Sequence, residues 1–216
     1  MADTAQHAQG KLISFEGGEG GGKTTQVAIL TDRLKGLGYE VVSLREPGGT
    51  GMSEQIRAIT LSTDNNSMSD RAEVLLFQAA RAQIYQEVVL PALQKPNTIV
   101  LMDRTRDSSV VYQGIARGFG VKLIEELNNF STNNTYPSLT LLLDVQTQIG
   151  LGRRRATGEV NRLDSQTEEF HQQTNRAYRE LAAADTTGRW RVIDANQPVE
   201  QVSEAIWKII TGVVGI

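Results

Sequence analysis

Residues Gly17-Gly18-Glu19-Gly20-Gly21-Gly22-Lys23-Thr24 fit the pattern G-x-x-x-x-G-K-[ST]. They lie between an apolar run, Leu12 to Phe15, and a segment with Val27, Leu30 and Leu34 at helical spacing. That strand–loop–helix setting is what a phosphate cradle requires. Glycines admit positive φ, so successive N–H groups can turn inward around an anion, and the helix that follows adds the positive end of its dipole. Lys23 supplies a mobile cation for the outer phosphates, and the Thr24 hydroxyl is a ligand for Mg²⁺.

Alternating signals follow the loop. Leu12 to Glu16 reads as a buried strand, Lys23 to about Leu37 as a helix ended near Gly38, and Glu40 to Leu44 as a second strand. Ser53 to Leu61 reads as helical. Ser69 is placed to cap a long helix from Asp70 to about Leu93, whose end Pro91 bends or frays. Thr98 to Met102, Leu139 to Leu143 and Trp190 to Ile193 are short apolar runs, each followed by an aspartate. Apolar runs separated by helices predict an α/β fold, a three-layer sandwich with a five-stranded parallel sheet between helices. Such a sheet collects its ligand site at the carboxyl ends of its strands, where the glycine loop, Arg45-Glu46, Asp103-Arg104 and Asp144 fall.

Composition narrows the partners. The 216 residues are 39% hydrophobic and 22% charged, enough for one core, and residues 11–216 read as a single domain behind a flexible polar tail, 1–10. The formal net charge of −3 gives no field favouring a nucleic-acid backbone, so the expected anionic ligand is small. The absence of cysteine excludes disulfides and thiolate metal sites and suits a reducing cytoplasm. The tail carries no basic-then-apolar signal pattern. The apolar stretch Ile206 to Ile216 is too short to span a bilayer and is interrupted by Lys208, so no membrane association is expected.

Asp103 ends an apolar run beside a phosphate loop, where a carboxylate either holds Mg²⁺ or caps the next helix. Arg104 suits bidentate contact with phosphate oxygens, against the alternative of a surface ion pair. With these residues in place the chain resembles the thymidylate kinases. Four segments carry the resemblance: Phe15-Glu16-Gly17-Gly18-Glu19-Gly20-Gly21-Gly22-Lys23-Thr24-Thr25; Arg45-Glu46-Pro47-Gly48-Gly49-Thr50; Phe77-Gln78-Ala79-Ala80-Arg81; and Asp103-Arg104 leading to Ser108 and Tyr112-Gln113-Gly114. The second is the most specific to that family.

The resemblance implies a cytoplasmic, homodimeric kinase that moves the terminal phosphoryl group of ATP to dTMP with Mg²⁺. ATP would lie on Gly17 to Thr25, with Mg²⁺ at Thr24 and Asp103. Thymine would stack on Phe77 and meet Arg81, with Ser109 at its ring nitrogen. Tyr112 would crowd the sugar where a ribose hydroxyl would sit, with Gln113 beside it. Arg57 and Arg104 would hold the acceptor phosphate, and Glu19 would reach the acceptor's sugar hydroxyl and the water shell of the metal. From the residues alone, Phe77 fits better in the apolar stripe of Val74, Ile84 and Val88, and Arg57 on a solvated surface; only the resemblance reverses these readings.

Gly150 to Leu163 contains Arg153-Arg154-Arg155 and then Thr157-Gly158-Glu159, which resembles the family's lid over the donor nucleotide. The glycine loop contains no arginine, which in this family implies a catalytic arginine in the lid, Arg153 or Arg155. Successive helical residues turn by about a hundred degrees, so the three guanidiniums cannot all face one phosphate. Two positions depart from the family pattern. Thr105 replaces an aromatic residue or histidine, which predicts looser packing around the acceptor, and Asp164 replaces glutamate, which shortens the reach to adenine or lid. His7 and His171 are expected to be structural or solvated. Two rival readings are a deoxynucleoside kinase, which needs a base near a sugar hydroxyl, and a nucleotide-switched binding protein. No Asn-Lys-x-Asp guanine motif supports the latter.

Overall fold

The computed structural model describes residues 10–158 and 161–215, so nearly all of the predicted tail, with His7, lies outside the described residues, as does Glu159. Five parallel strands, β1 (Lys11–Glu16), β2 (Glu40–Arg45), β3 (Thr98–Asp103), β4 (Leu139–Asp144) and β5 (Trp190–Asp194), form one sheet in the order β2-β3-β1-β4-β5. Register sets Phe15 and Arg45 on either side of Asp103 at the carboxyl edge.

The layers follow from strand periodicity. Successive side chains point to opposite faces, so Ile13, Phe15, Ile99, Leu101, Leu139, Leu141 and Leu143 meet helices α1 (Lys23–Gly36) and α9 (Val199–Val214) through Val27, Leu30, Leu34, Ile206 and Ile210. The alternate residues Leu12, Val100 and Met102 pack on the opposite face under Ile84 and Tyr85. There Leu142 meets Val111, Ala177 and Tyr178, the last two from α8 (Glu168–Ala183). Because both faces are covered at the central strands β1, β3 and β4, these read as continuous apolar runs, whereas the edge strands β2 and β5 are only partly buried. Burying a side chain such as the wholly inaccessible Leu34 contributes about 1.5–3 kcal/mol.

The remaining helices position the cleft. Thr50 caps α2 (Gly51–Leu61) by accepting from the Ser53 N–H at 3.2 Å, and Ser69 caps α3 (Asp70–Ile84) by accepting from Ala72 at 3.3 Å. The long helix predicted to about Leu93 widens into a π turn at Tyr85–Val89 before a last α-helical turn, α4 (Leu90–Leu93). Pro91 explains the break, since it has no N–H to donate and its ring would strike the carbonyl of Glu87. A second π segment, Val110–Ala116, continues the short helix α5 (Arg106–Ser109) and presents Tyr112 and Gln113. Helix α6 (Val121–Ser131) packs beside α3, and α7 (Thr147–Ala156) forms the base of the lid segment.

Candidate active site

A cleft of about 580 Å³ opens at the carboxyl ends of the strands and is lined by Glu19 to Gln26, Arg45 to Pro47, Arg57, Phe77, Arg81, Asp103 to Thr105, Ser108, Ser109, Tyr112, Gln113, Arg153 and Arg154. This size suits small-molecule sites. The glycine loop is shaped by close approach as well as by φ. Gly17 has φ 134°, and a Cβ there would lie 2.5 Å from the Leu143 carbonyl oxygen. Gly20 has φ 66°, and a Cβ there would lie 2.0 Å from the carbonyl oxygen of Gly150 in α7, so the loop is wedged against the lid's own helix.

Lys23 is buried, and its Nζ donates to the carbonyl oxygens of Gly17 at 3.1 Å and Gly18 at 2.8 Å. Two of its three protons thus anchor the side chain to the loop, leaving one for a phosphate. Burial and the nearby Arg104 push its pKa down to about 8.

Arg104 has φ 68°, in the left-handed region that costs a non-glycine residue about 1–3 kcal/mol. Its Nη1 donates to the Gly17 carbonyl at 2.9 Å and to Tyr178 Oη at 3.1 Å, and its Nη2 donates to Glu19 Oε1 at 2.7 Å. Those bonds leave Nε–H and one Nη2–H for an anion. Tyr112 Oη also donates to Glu19 Oε1, at 3.0 Å. Burial alone would raise the pKa of Glu19, but Arg104 and Lys23 outweigh it and hold the carboxyl at about 2. The acidic residue inside the phosphate loop is therefore turned toward a cation and away from the cradle, which resolves its apparent repulsion of an anion. Three residues earlier the balance reverses. Burial and Asp107 push Glu16 up to about 7, even though Ser108, Arg104 and the Thr105 N–H favour its charge.

At the other end of the cleft Phe77 lines the wall, while its stripe-mates Val74 and Ile84 enter core clusters. Arg81 is buried, with four of its N–H groups hydrogen-bonded and Nη2 also in ion-pair contact with Glu46. Nε donates to Glu46 Oε2 at 2.8 Å; Nη1 donates to Ser109 Oγ at 3.0 Å and Asn128 Oδ1 at 2.8 Å; Nη2 reaches Thr105 O at 3.2 Å and Glu46 Oε2 at 2.7 Å. Gln113 Nε2 donates to the buried Glu73 at 2.8 Å, and Arg57 Nη1 donates to the Pro47 carbonyl at 2.8 Å.

For a cation, Thr24 Oγ1 and Asp103 Oδ2 meet at 2.5 Å beside the loop. Two hard oxygen donors fit Mg²⁺, which takes few protein ligands and completes its shell with phosphates and water. Among the described residues no cluster of three or more His, Cys, Asp or Glu side chains is arranged to hold a metal unaided.

The family model described as thymidylate kinase matches residues 15–206. The chain belongs to the thymidylate kinase family. It is 43% identical to the thymidylate kinase of Pelobacter propionicus over 91% of this chain and 92% of that one, and 44% identical to that of Thermomicrobium roseum over 94% and 95%. A crystal structure of thymidylate kinase from Ehrlichia chaffeensis superposes with a TM-score of 0.74 at 27% identity, covering 94% of this chain and 99% of that one.

Against this thymidylate kinase frame, several sequence expectations change. Of the lid arginines, Arg153 lines the cleft and donates to the Ala195 carbonyl at 2.8 Å, whereas Arg155 is exposed and is not among the lining residues. Arg154, between them, also lines the cleft, with its Nε donating to Asp164 Oδ2 at 3.0 Å. Asp164 therefore reaches the lid despite its shorter side chain. Thr105 does not loosen the packing: it is fully buried, with its hydroxyl 2.9 Å from Tyr85 Oη. Asp144 lies at a strand end but outside the cleft, its carboxylate bound to Arg179. His171 is buried beside Phe170, a packing position. Glu16 and Glu46 lie inside two of the four segments that carry the resemblance and Gly150 opens the lid segment, but sequence reading assigns none of them a role; Asn128 and Tyr178 carry no local sequence signal that separates them from ordinary helix residues.

Proposed function

We propose that this member of the thymidylate kinase family transfers the terminal phosphoryl group of ATP to the phosphate of dTMP, giving ADP and dTDP. The observation that carries the reading is one cleft lined by Lys23 and Thr24 of the glycine loop, Arg104 of the β3 end, Phe77 and Arg81 at one side and the lid's Arg153 at another. An acceptor phosphate oxygen attacks the γ-phosphorus, the bond from that phosphorus to the β–γ bridging oxygen breaks, and that oxygen leaves on ADP. The acceptor is already anionic near neutral pH, so no general base is needed. Positioning and charge stabilisation supply the rate.

In this reading the loop N–H groups of Gly17 to Thr25 and the third Lys23 proton hold the donor phosphates. The Nε–H and Nη2–H of Arg104, with Arg57, hold the acceptor phosphate, and Arg153 is the lid arginine. Thr24 and Asp103 would hold Mg²⁺, which when bound neutralises phosphate charge. Phe77 faces thymine, with Arg81, Ser109 and Gln113 around it, and Tyr112 excludes a ribose hydroxyl by crowding.

The protein acts in the cytoplasm as a homodimer. Among the described residues no helix is long and apolar enough to cross a membrane, and an apolar surface with Leu75, Leu123 and the 88%-exposed Phe130 on the paired helices α3 and α6 supports self-association.

Initial-rate assays with ATP and dTMP, thymidine or no acceptor test the reading. ADP should form rapidly only with dTMP, and Lys23→Ala should lower kcat/KM by roughly 10³-fold with the fold intact. Equal ADP formation with thymidine or without acceptor would overturn it.

A further inference from the structure

Arg104 is held in a strained backbone conformation, and the hydrogen bonds around it show what compensates. Glu16, fully buried at the end of β1, receives three donors: the Thr105 N–H at 2.9 Å on Oε1, and Ser108 Oγ at 2.5 Å and Tyr178 Oη at 3.1 Å on Oε2. With both hydroxyl protons directed at the carboxylate, the lone pairs of Tyr178 Oη face outward, and one of them accepts Arg104 Nη1–H at 3.1 Å. Ser108 Oγ and Tyr178 Oη lie 2.8 Å apart, held side by side by the carboxylate they share. The tyrosine ring is locked by the core around Leu142, Ala177 and Trp190 and by an edge contact with Tyr112, centroids 6.4 Å apart. The chain of contacts therefore runs from the strand that enters the glycine loop, through the helix that follows the lid, to the guanidinium.

We propose that Tyr178 is the positioning residue for Arg104, its hydroxyl oriented by Glu16 so that it holds one end of the guanidinium and leaves the other edge to the acceptor phosphate. This rests on the reading that Arg104 binds that phosphate. Tyr178 is not among the residues lining the cleft. A guanidinium released from it would keep its Gly17 and Glu19 bonds and the longer one to Ser108 at 3.4 Å but gain freedom to tilt, and small misplacements of a charge-stabilising group are costly in rate.

The test is a double-variant cycle of Tyr178→Phe and Arg104→Lys, with steady-state kinetics and thermal denaturation of every form. Tyr178→Phe removes one oxygen and keeps the ring. It should lower kcat/KM for dTMP by about tenfold while KM for ATP changes less than about twofold. In the Arg104→Lys background, where no fork remains to orient, the same substitution should cost less than about twofold. An equal loss in both backgrounds means a merely structural role for the hydroxyl, and wild-type kcat/KM in Tyr178→Phe means no role. Either result overturns the proposal. Should Tyr178→Phe fail to fold, Glu16→Gln carries the same cycle, since it replaces the acceptor that orients the Tyr178 hydroxyl and leaves the ring and every hydrogen-bond partner of Arg104 in place. Failure of the wild-type chain to phosphorylate dTMP would instead sink the functional reading, and so the two failures are distinguishable.

Discussion

Arg81 on the floor of the cleft and Arg153 in the lid hold their charges in opposite ways. Arg81 is 1% exposed, pairs with Glu46 from the loop after β2 and is hydrogen-bonded to Ser109 of α5, Asn128 of α6 and the Thr105 carbonyl. Arg153 is exposed and is tied to backbone carbonyls of the segment after β5. The floor is therefore a fixed part of the fold, bought with the cost of burying an ion pair. The lid arginine therefore holds its charge at the surface, where its contacts contribute little to stability. A rigid acceptor wall with a movable donor cover suits a reaction in which water must be excluded before the phosphoryl group moves.

The contrast predicts a division of effects. Arg81→Ala strands Glu46 inside the protein and should lower unfolding free energy by about 3–5 kcal/mol, read by denaturant titration. A loss below about 1 kcal/mol would show that the floor is not the structural half. Arg153→Ala should leave stability within about 0.5 kcal/mol but lower kcat by roughly a hundredfold. In the same assay Arg155→Ala should change kcat by less than about twofold, since Arg155 is not among the residues lining the cleft. Equal losses for the two would erase the distinction between them and sharpen attention on Arg154.

The fold was largely legible because its signals are local. Each strand is a short apolar run closed by a polar or charged residue, and a sheet covered on both faces needs little else to be read. The phosphate loop and Asp103-Arg104 were legible for the same reason, as contiguous residues with a defined mechanical role. What sequence reading left open depends on distance through space. Glu46 and Asn128 reach Arg81 from other elements, and Tyr178 reaches Arg104 from α8. Helical periodicity limited how many lid arginines face one phosphate but not the phase of α7, so Arg153 and Arg155 stayed equal, and Arg154, which lines the cleft beside Arg153, was passed over. Thr105 was read as a gap because a small residue replaced a large one; Tyr85, hydrogen-bonded to it from the π turn ahead of Pro91, closes that region.

The central claim is that two anion sites face each other across the carboxyl edge of the sheet, one at the glycine loop and one at Arg104. A crystal structure of the protein with dTMP tests it most directly. The nucleotide should lie with thymine against Phe77 and its phosphate hydrogen-bonded to Arg104, pointing toward Lys23. A phosphate seated in the Gly17–Thr24 cradle, or a base bound away from Phe77, would contradict the account.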